Sequence, residues 1–245
     1  MGHYEIPAEF VAEQIEKRGD AHPWKRIPAE RTAFVVIDMQ NYFVESPAEA
    51  APSAAASAVP SINRMARALR DKGGKVIWIQ NTTAGTSESW SVRHELLSPE
   101  RALYRLKAME PDSEGFKLWP TLEALPEDVI IIKKLYSAFA PNSSPLPAYL
   151  RDEGIDFVLI GGTYTDCCSL VSAQDAMMAN FRTIMVSDCN GGSSAEMHAA
   201  ALNIFYKFFG DVLSTDEVIS RLQPVASYSS KLNEWSDKSS LLQNA

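Results

Sequence analysis

Short apolar runs alternate with amphipathic stretches through most of the chain. Thr32-Ala33-Phe34-Val35-Val36-Ile37 is almost continuously apolar, the pattern of a strand covered on both faces. Similar runs follow at Lys75 to Gln80, Asp128 to Ile132, Phe157 to Ile160 and Thr183 to Val186, with a short sixth run at Gly210 to Ser214. Between them lie helical patterns. Asn63 to Lys72 places Met65, Ala66 and Leu69 at helical spacing and ends at Gly73-Gly74. Leu146 to Asp152 ends at Gly154, and Ser169 to Asn180 and Glu196 to Phe208 are further helices. A last one runs to Leu222, with Ser214 or Thr215 as its cap and Asp216 and Glu217 in its first turn. Strands alternating with helices predict an α/β fold of three layers: a six-stranded, mainly parallel sheet with helices on both faces. Such sheets bind ligands beyond the carboxyl ends of their strands.

Four segments stand outside this pattern. Residues 1–30 are polar and broken by Pro7, Pro23 and Pro28, which predicts an irregular arm on the body or on a neighbouring subunit. Residues 44–57, rich in Ala, Ser and Pro, read as a flexible loop. Asn81 to Trp119 reads as a long irregular stretch, and loops of that length in compact domains are often lids or pocket walls. Residues 224–245 form a polar, serine-rich tail, leaving 31–223 as the folded domain. Gly161-Gly162, like Gly73-Gly74, reads as a turn.

Composition narrows the class. The chain has 245 residues, 46% of them apolar and 22% charged, with a net charge of −8. That acidic balance argues against nucleic acid or an anionic membrane surface as a partner. No apolar run approaches the roughly 20 residues of a membrane span, and the first residues lack the pattern of a signal peptide. Three cysteines, with Cys167 beside Cys168, make no disulfide framework and suit a reducing cytoplasm.

Candidate chemistry lies at three strand ends. The first strand ends in Asp38, the third in Lys133 and Lys134, and the fourth runs through Gly161-Gly162-Thr163-Tyr164-Thr165-Asp166 into Cys167-Cys168. Each alone has a plain reading: a solvated or capping acid, an exposed lysine, a small buried thiol. Together they form a chemical unit. A thiolate attacks, an aspartate moves its proton, a lysine holds both anions, and backbone N–H groups near Cys168 stabilise an oxyanion. A cation and a helix N-terminus beside Cys168 predict a thiol pKa below the free value of about 8.5.

Thr32-Ala33-Phe34-Val35-Val36-Ile37-Asp38-Met39-Gln40-Asn41-Tyr42-Phe43 resembles the opening motif of the isochorismatase-like cysteine hydrolases. Lys133-Lys134-Leu135-Tyr136-Ser137-Ala138-Phe139 is similar to that family's K-x-R-Y-S-A-F segment. Gly162-Thr163-Tyr164-Thr165-Asp166-Cys167-Cys168, followed by Ser172-Ala173-Gln174-Asp175-Ala176, is similar to G-x-x-T-N-x-C … S-A-R-D-A. The resemblance covers about residues 30–220. It implies a six-stranded parallel sheet and a catalytic set of Asp38, Lys133 and Cys168. It also implies a cis peptide at Thr163–Tyr164 and oxyanion donors in the backbone N–H groups of Tyr164 and Cys168. Phe43, Asn81 and Tyr136 are the expected substrate contacts. Tyr42, Leu135 and Asp166 replace the family's Asp, Arg and Asn, and the first two lie near the pocket.

Nicotinamidase-type relatives bind a metal through an Asp-x-His pair beside the pocket. Here the stretch after the second strand is Asn81-Thr82-Thr83, so neither metal nor cofactor is expected. His198 is expected to pack or hydrogen-bond on a helix face and Cys189 to pack; Trp78, Trp90 and Trp119 read as core aromatics, with approach of Trp90 to the mouth through the long loop as the alternative. The expected activity is amidohydrolysis of a small amide, carbamoyl or ureido compound through a thioester, by a homodimer or homotetramer. The alternatives are vinyl-ether hydrolysis of isochorismate, which needs no nucleophile, and a catalytically silent scaffold.

Overall fold

The computed structural model describes residues 4–45 and 55–227. Among them, β1 (Thr32–Ile37), β2 (Lys75–Asn81), β3 (Val129–Lys133), β4 (Phe157–Thr163), β5 (Arg182–Gly191) and β6 (Asp211–Leu213) form one parallel sheet. Its order is β3-β2-β1-β4-β5-β6. The chain winds outward from β1 through β2 to β3, then crosses back to β4 and winds the other way. Neighbouring strands β1 and β4 therefore carry the switch point, in a register that pairs Ile37 with Gly162. A crevice beyond their carboxyl ends is the position such a topology offers a ligand.

Alternation along β1 divides the core. Phe34 and Val36 face a cluster with Trp78, Leu159 and Ile184, covered by Ile62, Met65 and Leu69 of α3 (Ala55–Arg70) and Val218 of α10 (Thr215–Arg221). Val35 and Ile37 face the opposite cluster. There α7 (Leu146–Asp152) contributes Leu146 and Leu150, α8 (Leu170–Met178) contributes Ala173 and Ala176, and α9 (Ala195–Phe208) contributes Leu202 and Phe205. The sheet is thus the middle of three layers, as its nearly unbroken apolar strands require.

Several elements depart from the sequence expectation. The arm is not irregular throughout. α1 (Ala8–Arg18) ends on left-handed Gly19, and the arm lies on its own body, with Gln14 donating to the Lys207 carbonyl at 3.2 Å and the Tyr206 hydroxyl donating to that of Ala21 at 2.7 Å. Ile27–Pro28 also pairs, in parallel, with Leu222–Gln223. α3 begins before Pro60, because a buried stripe of Ala55, Ala58, Val59 and Ile62 outweighs the proline's missing donor. The remainder of the expected 44–57 loop, residues 46–54, lies outside the described residues, as does the tail from 228. The 81–119 stretch contains α4 (Thr86–Ser89), α5 (Ser91–Glu95) and α6 (Pro99–Ala108), the last started by a Ser98 side-chain cap and Pro99. Gly161 and Gly162 are not a turn but part of β4. At Gly162 φ is +113°, and a Cβ there would lie 2.1 Å from the Ile37 carbonyl oxygen, so only glycine lets β4 approach β1 this closely. β5 continues past Val186 to Gly191, realigned against β4 by an irregularity at Ile160/Gly162.

Candidate active site

The three strand-end residues converge. Asp38 follows β1 with φ +52°, a left-handed conformation that costs a non-glycine residue about 1–3 kcal/mol. Its N–H still donates to Ile79 of β2 at 3.0 Å, so the chain turns sharply only after leaving the sheet. β3 is an edge strand whose period-two alternation buries Ile131 and Lys133 and exposes Ile130 and Ile132. That alternation separates the two adjacent lysines: Lys134 is exposed, and Lys133 reaches inward, in register with Asn81. Lys133 Nζ lies 2.8 Å from Asp38 Oδ2, with both side chains fully buried, and donates to the Leu135 carbonyl at 3.0 Å. Cys168 lies buried in a single widened turn, Thr165–Ser169, that leads into α8, and its thiol bears on the same carboxylate.

Electrostatics follow from this burial. Desolvation raises the Asp38 pKa, against the opposing pull of Lys133. Burial would lower the Lys133 pKa, but the facing Asp38 and Cys168 outweigh it and hold the ammonium above its ordinary range. Cys168 departs from expectation. Its hydrogen bond with Cys167, its burial and the nearby Asp38 push its pKa well above that of a free thiol, and Lys133 offsets only part of this. The same S–H contact lowers Cys167. The resting site therefore holds Cys168 as a thiol beside a carboxylate of raised basicity.

A second layer fixes the turn carrying the thiol. The Thr163–Tyr164 peptide is cis, at the position the resemblance implies. The N–H groups of Cys167 and Ser169 both donate to the Tyr164 carbonyl, at 3.0 and 3.1 Å. Asp166 accepts from the backbone N–H and hydroxyl of Ser193, tying the turn to the end of β5. His198 of α9 meets the Thr165 hydroxyl at 2.8 Å and stacks edge-on against Tyr4; burial lowers its pKa. Cys189 packs in the core, 3.2 Å from the Thr215 hydroxyl.

Phe43, Asn81 and Tyr136 come from α2 (Asn41–Glu45), the end of β2 and the segment after β3. Asn81 donates its backbone N–H to Gln40 Oε1 at 2.7 Å and its amide to the Leu135 carbonyl at 3.4 Å. Phe43 meets Tyr164 edge-on at 6.4 Å. Tyr136 stands edge-on to Trp90, centroids 4.8 Å apart, with Arg93 over its ring at 5.6 Å. The long segment thus brings Trp90 to this wall. It also brings Arg105, which sequence reasoning missed. Arg105 is 4% exposed, and its guanidinium lies over Tyr42 and Phe43 at 5.4 and 5.6 Å and reaches Asn81 Oδ1 at 3.5 Å. The one signal was its place on the buried stripe of α6, three residues after Ala102 and four before Met109.

Comparison with known proteins agrees with this fold. The isochorismatase domain family matches residues 32–217. Maleamate amidohydrolase of Pseudomonas putida is 34% identical over 99 residues, which is 40% of this chain and 46% of that protein. Ureidoacrylate amidohydrolase of Methylorubrum extorquens is 26% identical over 210 residues, covering 78% of this chain and 84% of its own. The crystal structure of a cysteine hydrolase from Pseudomonas syringae superposes with a TM-score of 0.68 at 26% identity, over 80% of this chain and 93% of that one. The match from the first strand to the last helix, on a sheet of this order, makes the chain a member of the isochorismatase family.

Proposed function

We propose that the protein is a cysteine-dependent amidohydrolase that cleaves a C–N bond of a small amide, carbamoyl or ureido compound. The observation that carries this is the buried Asp38–Lys133 ion pair beside the Cys168 thiol. As the Cys168 sulfur bonds to the substrate carbonyl carbon, its proton passes to Asp38, whose raised pKa suits it to accept. As the family resemblance implies, the backbone N–H groups of Tyr164 and Cys168 receive the oxyanion. The C–N bond then breaks as Asp38 returns the proton to the leaving nitrogen, giving ammonia or an amine and a thioester. Water attacks the thioester, losing a proton to Asp38, and the departing Cys168 sulfur takes that proton back. Lys133 keeps the carboxylate and the transient negative sulfur from repelling one another.

Phe43, Asn81 and Tyr136 line the substrate's position in this reading. The catalytic unit is residues 31–223, with 1–30 as an arm and 224–245 as a tail. The free thiols of Cys167, Cys168 and Cys189 support a reducing cytoplasm as the setting. The exposed Ile130 and Ile132 on edge strand β3 support a homodimer or homotetramer, which light scattering would test. The amidohydrolase names of the relatives support the reaction class. Ammonia release from maleamate, ureidoacrylate and carbamoyl amino acids is the direct test. Turnover by wild type that vanishes in Cys168→Ser is expected; turnover undiminished in that variant, or pyruvate formed from isochorismate in its place, overturns the reading.

A further inference from the structure

Two of the three cysteines are neighbours in the chain, and the hydrolytic reaction needs only one of them. Cys168 is buried beside the Asp38–Lys133 pair, whereas Cys167 is half-buried in the same widened turn, Thr165–Ser169. The two thiols lie in hydrogen-bonding contact, and Cys167 packs against the apolar cluster that contains Cys168. Cys189 is no partner for either, because it is fully buried in the cluster on the opposite face of the sheet. An oxidant entering from solvent therefore meets Cys167 first, with Cys168 directly behind it.

The pair is chemically asymmetric. The contact with Cys168, helped by the Lys133 charge, lowers the Cys167 pKa, while the same contact and burial keep Cys168 a thiol. A thiolate is the form that reacts with peroxides, and the sulfenic acid it becomes has two fates. Further oxidation gives a sulfinic acid and is irreversible; condensation with a second thiol gives a disulfide and is reversible. A thiol in contact favours the second fate. The bond between neighbours is also strained. Adjacent Cα atoms lie about 3.8 Å apart across a trans peptide, closer than the roughly 4.4–6.8 Å usual for a disulfide. Strained disulfides are readily reduced, which suits a labile bond better than a structural one.

We propose that Cys167 and Cys168 form a reversible oxidation site, at which a hydroperoxide closes a disulfide between the two sulfurs and a dithiol reopens it. The Cys167 sulfur attacks one oxygen of hydrogen peroxide and the O–O bond breaks. Cys167 becomes a sulfenic acid, and the departing hydroxide takes up a proton as water. The Cys168 thiol then gives its proton to Asp38 as its sulfur bonds to that of Cys167, and the sulfenic hydroxyl leaves with that proton as a second water. Two thiols and one hydrogen peroxide thus become one disulfide and two waters. The bond takes Cys168 out of use as a nucleophile. That loss of turnover rests on the reading that Cys168 attacks the substrate; the bond itself does not.

The test needs no substrate. The full chain is treated with hydrogen peroxide, then unfolded and alkylated with iodoacetamide, and the peptide carrying both cysteines is read by mass spectrometry. Wild type is expected to yield a peptide two hydrogens lighter and alkylated at neither position, and dithiothreitol added before unfolding should restore both thiols. In Cys167→Ser, Cys168 should instead pass to the sulfinic acid, which dithiothreitol does not restore, at least tenfold faster than in wild type. The wild-type peptide alone decides the matter if the variant fails to fold, as judged by circular dichroism. Free thiols persisting at both positions under peroxide, a bond to Cys189 or between chains in place of the expected one, or sulfinic Cys168 forming equally fast in wild type and the folded variant overturns the proposal. Loss of the amidohydrolase reading would appear separately, as absence of ammonia release by the reduced protein although the bond forms.

Discussion

At the scale of single residues, a buried pair of opposite charges governs the site. Asp38 and Lys133 are each costly to bury, and each is tolerable only because the other is 2.8 Å away. Lys133→Met should therefore cost about 3–5 kcal/mol of stability, the usual penalty for stranding one member of a buried pair. Adding Asp38→Asn should restore much of it. Urea unfolding of the two variants reads this directly, and equal losses in single and double variants would show that the pair is not coupled. Asp38→Asn alone should lower turnover by about 10²–10⁴-fold, the range of a lost general acid–base; a fall of less than tenfold in ammonia release would make Asp38 only a turn-forming acid. The raised Cys168 pKa has its own consequence. Above its folded pKa the thiol ionises, and below it the thiol form dominates. Iodoacetamide labelling of Cys168 should therefore lag a free thiol at pH 7 and keep rising with pH beyond the ordinary range near about 8.5, where a free thiol levels off. A plateau at or below that range would refute the assignment.

At the scale of elements, the site depends on how closely two strands approach. Gly162 faces the Ile37 carbonyl, the residue immediately before Asp38. Gly162→Ala combines a positive φ with a 2.1 Å collision against backbone, and neither partner is a flexible side-chain tip. It should cost about 3 kcal/mol or more. The activity loss should exceed what the unfolded fraction explains, because β1 and β4 carry Asp38 and the thiol-bearing turn. A melting temperature within 2 °C of wild type, a shift too small for such a cost, would show that the strands part easily. By contrast, the capping box of α10, in which Ser214 and Glu217 satisfy each other's backbone N–H groups, lies away from the pair. Ser214→Ala should cost only about 1 kcal/mol and leave the chemistry unaffected.

At the scale of the whole molecule, Asp128 ties the sheet's edge to its covering helix. It accepts from Arg70 of α3 at 2.6 and 2.8 Å, from the Trp78 ring of β2 at 2.8 Å and from the Leu125 backbone at 2.9 Å. Burial alone would raise its pKa, yet these donors together lower it. A carboxylate with a depressed folded pKa stabilises fully above its unfolded pKa of about 3.9 and loses that contribution as the pH falls through the folded value. Asp128→Asn should therefore be less stable than wild type at pH 7, with the gap narrowing below about pH 4. Urea midpoints at pH 7, 5 and 3 would test this, and a gap independent of pH would contradict it.

The order and kind of the sheet's elements were legible in the sequence because they follow from periodicity. Runs such as Phe34 to Ile37 and Phe157 to Ile160 can only be strands buried on both faces, and the helices between them force parallel crossovers. The strand-end positions of Asp38, Lys133 and Cys168 were legible for the same reason. What required the tertiary structure depends on contacts distant in the chain. The helix through Pro60 is decided by the apolar stripe it buries, and the extension of β4 across Gly161-Gly162 by the close approach of Ile37. By periodicity Lys133 and Lys134 look alike, and in the sequence only the family resemblance singles out Lys133; the pleat of an edge strand is the physical reason that one is buried beside Asp38 and the other exposed. The direction of the Cys168 pKa shift turns on desolvation, which no local pattern reports. Arg105 was the least visible of all. A buried arginine on an amphipathic helix reads as an ordinary polar position until the fold shows that Phe43 and Asn81, each more than 20 residues away, are what it covers.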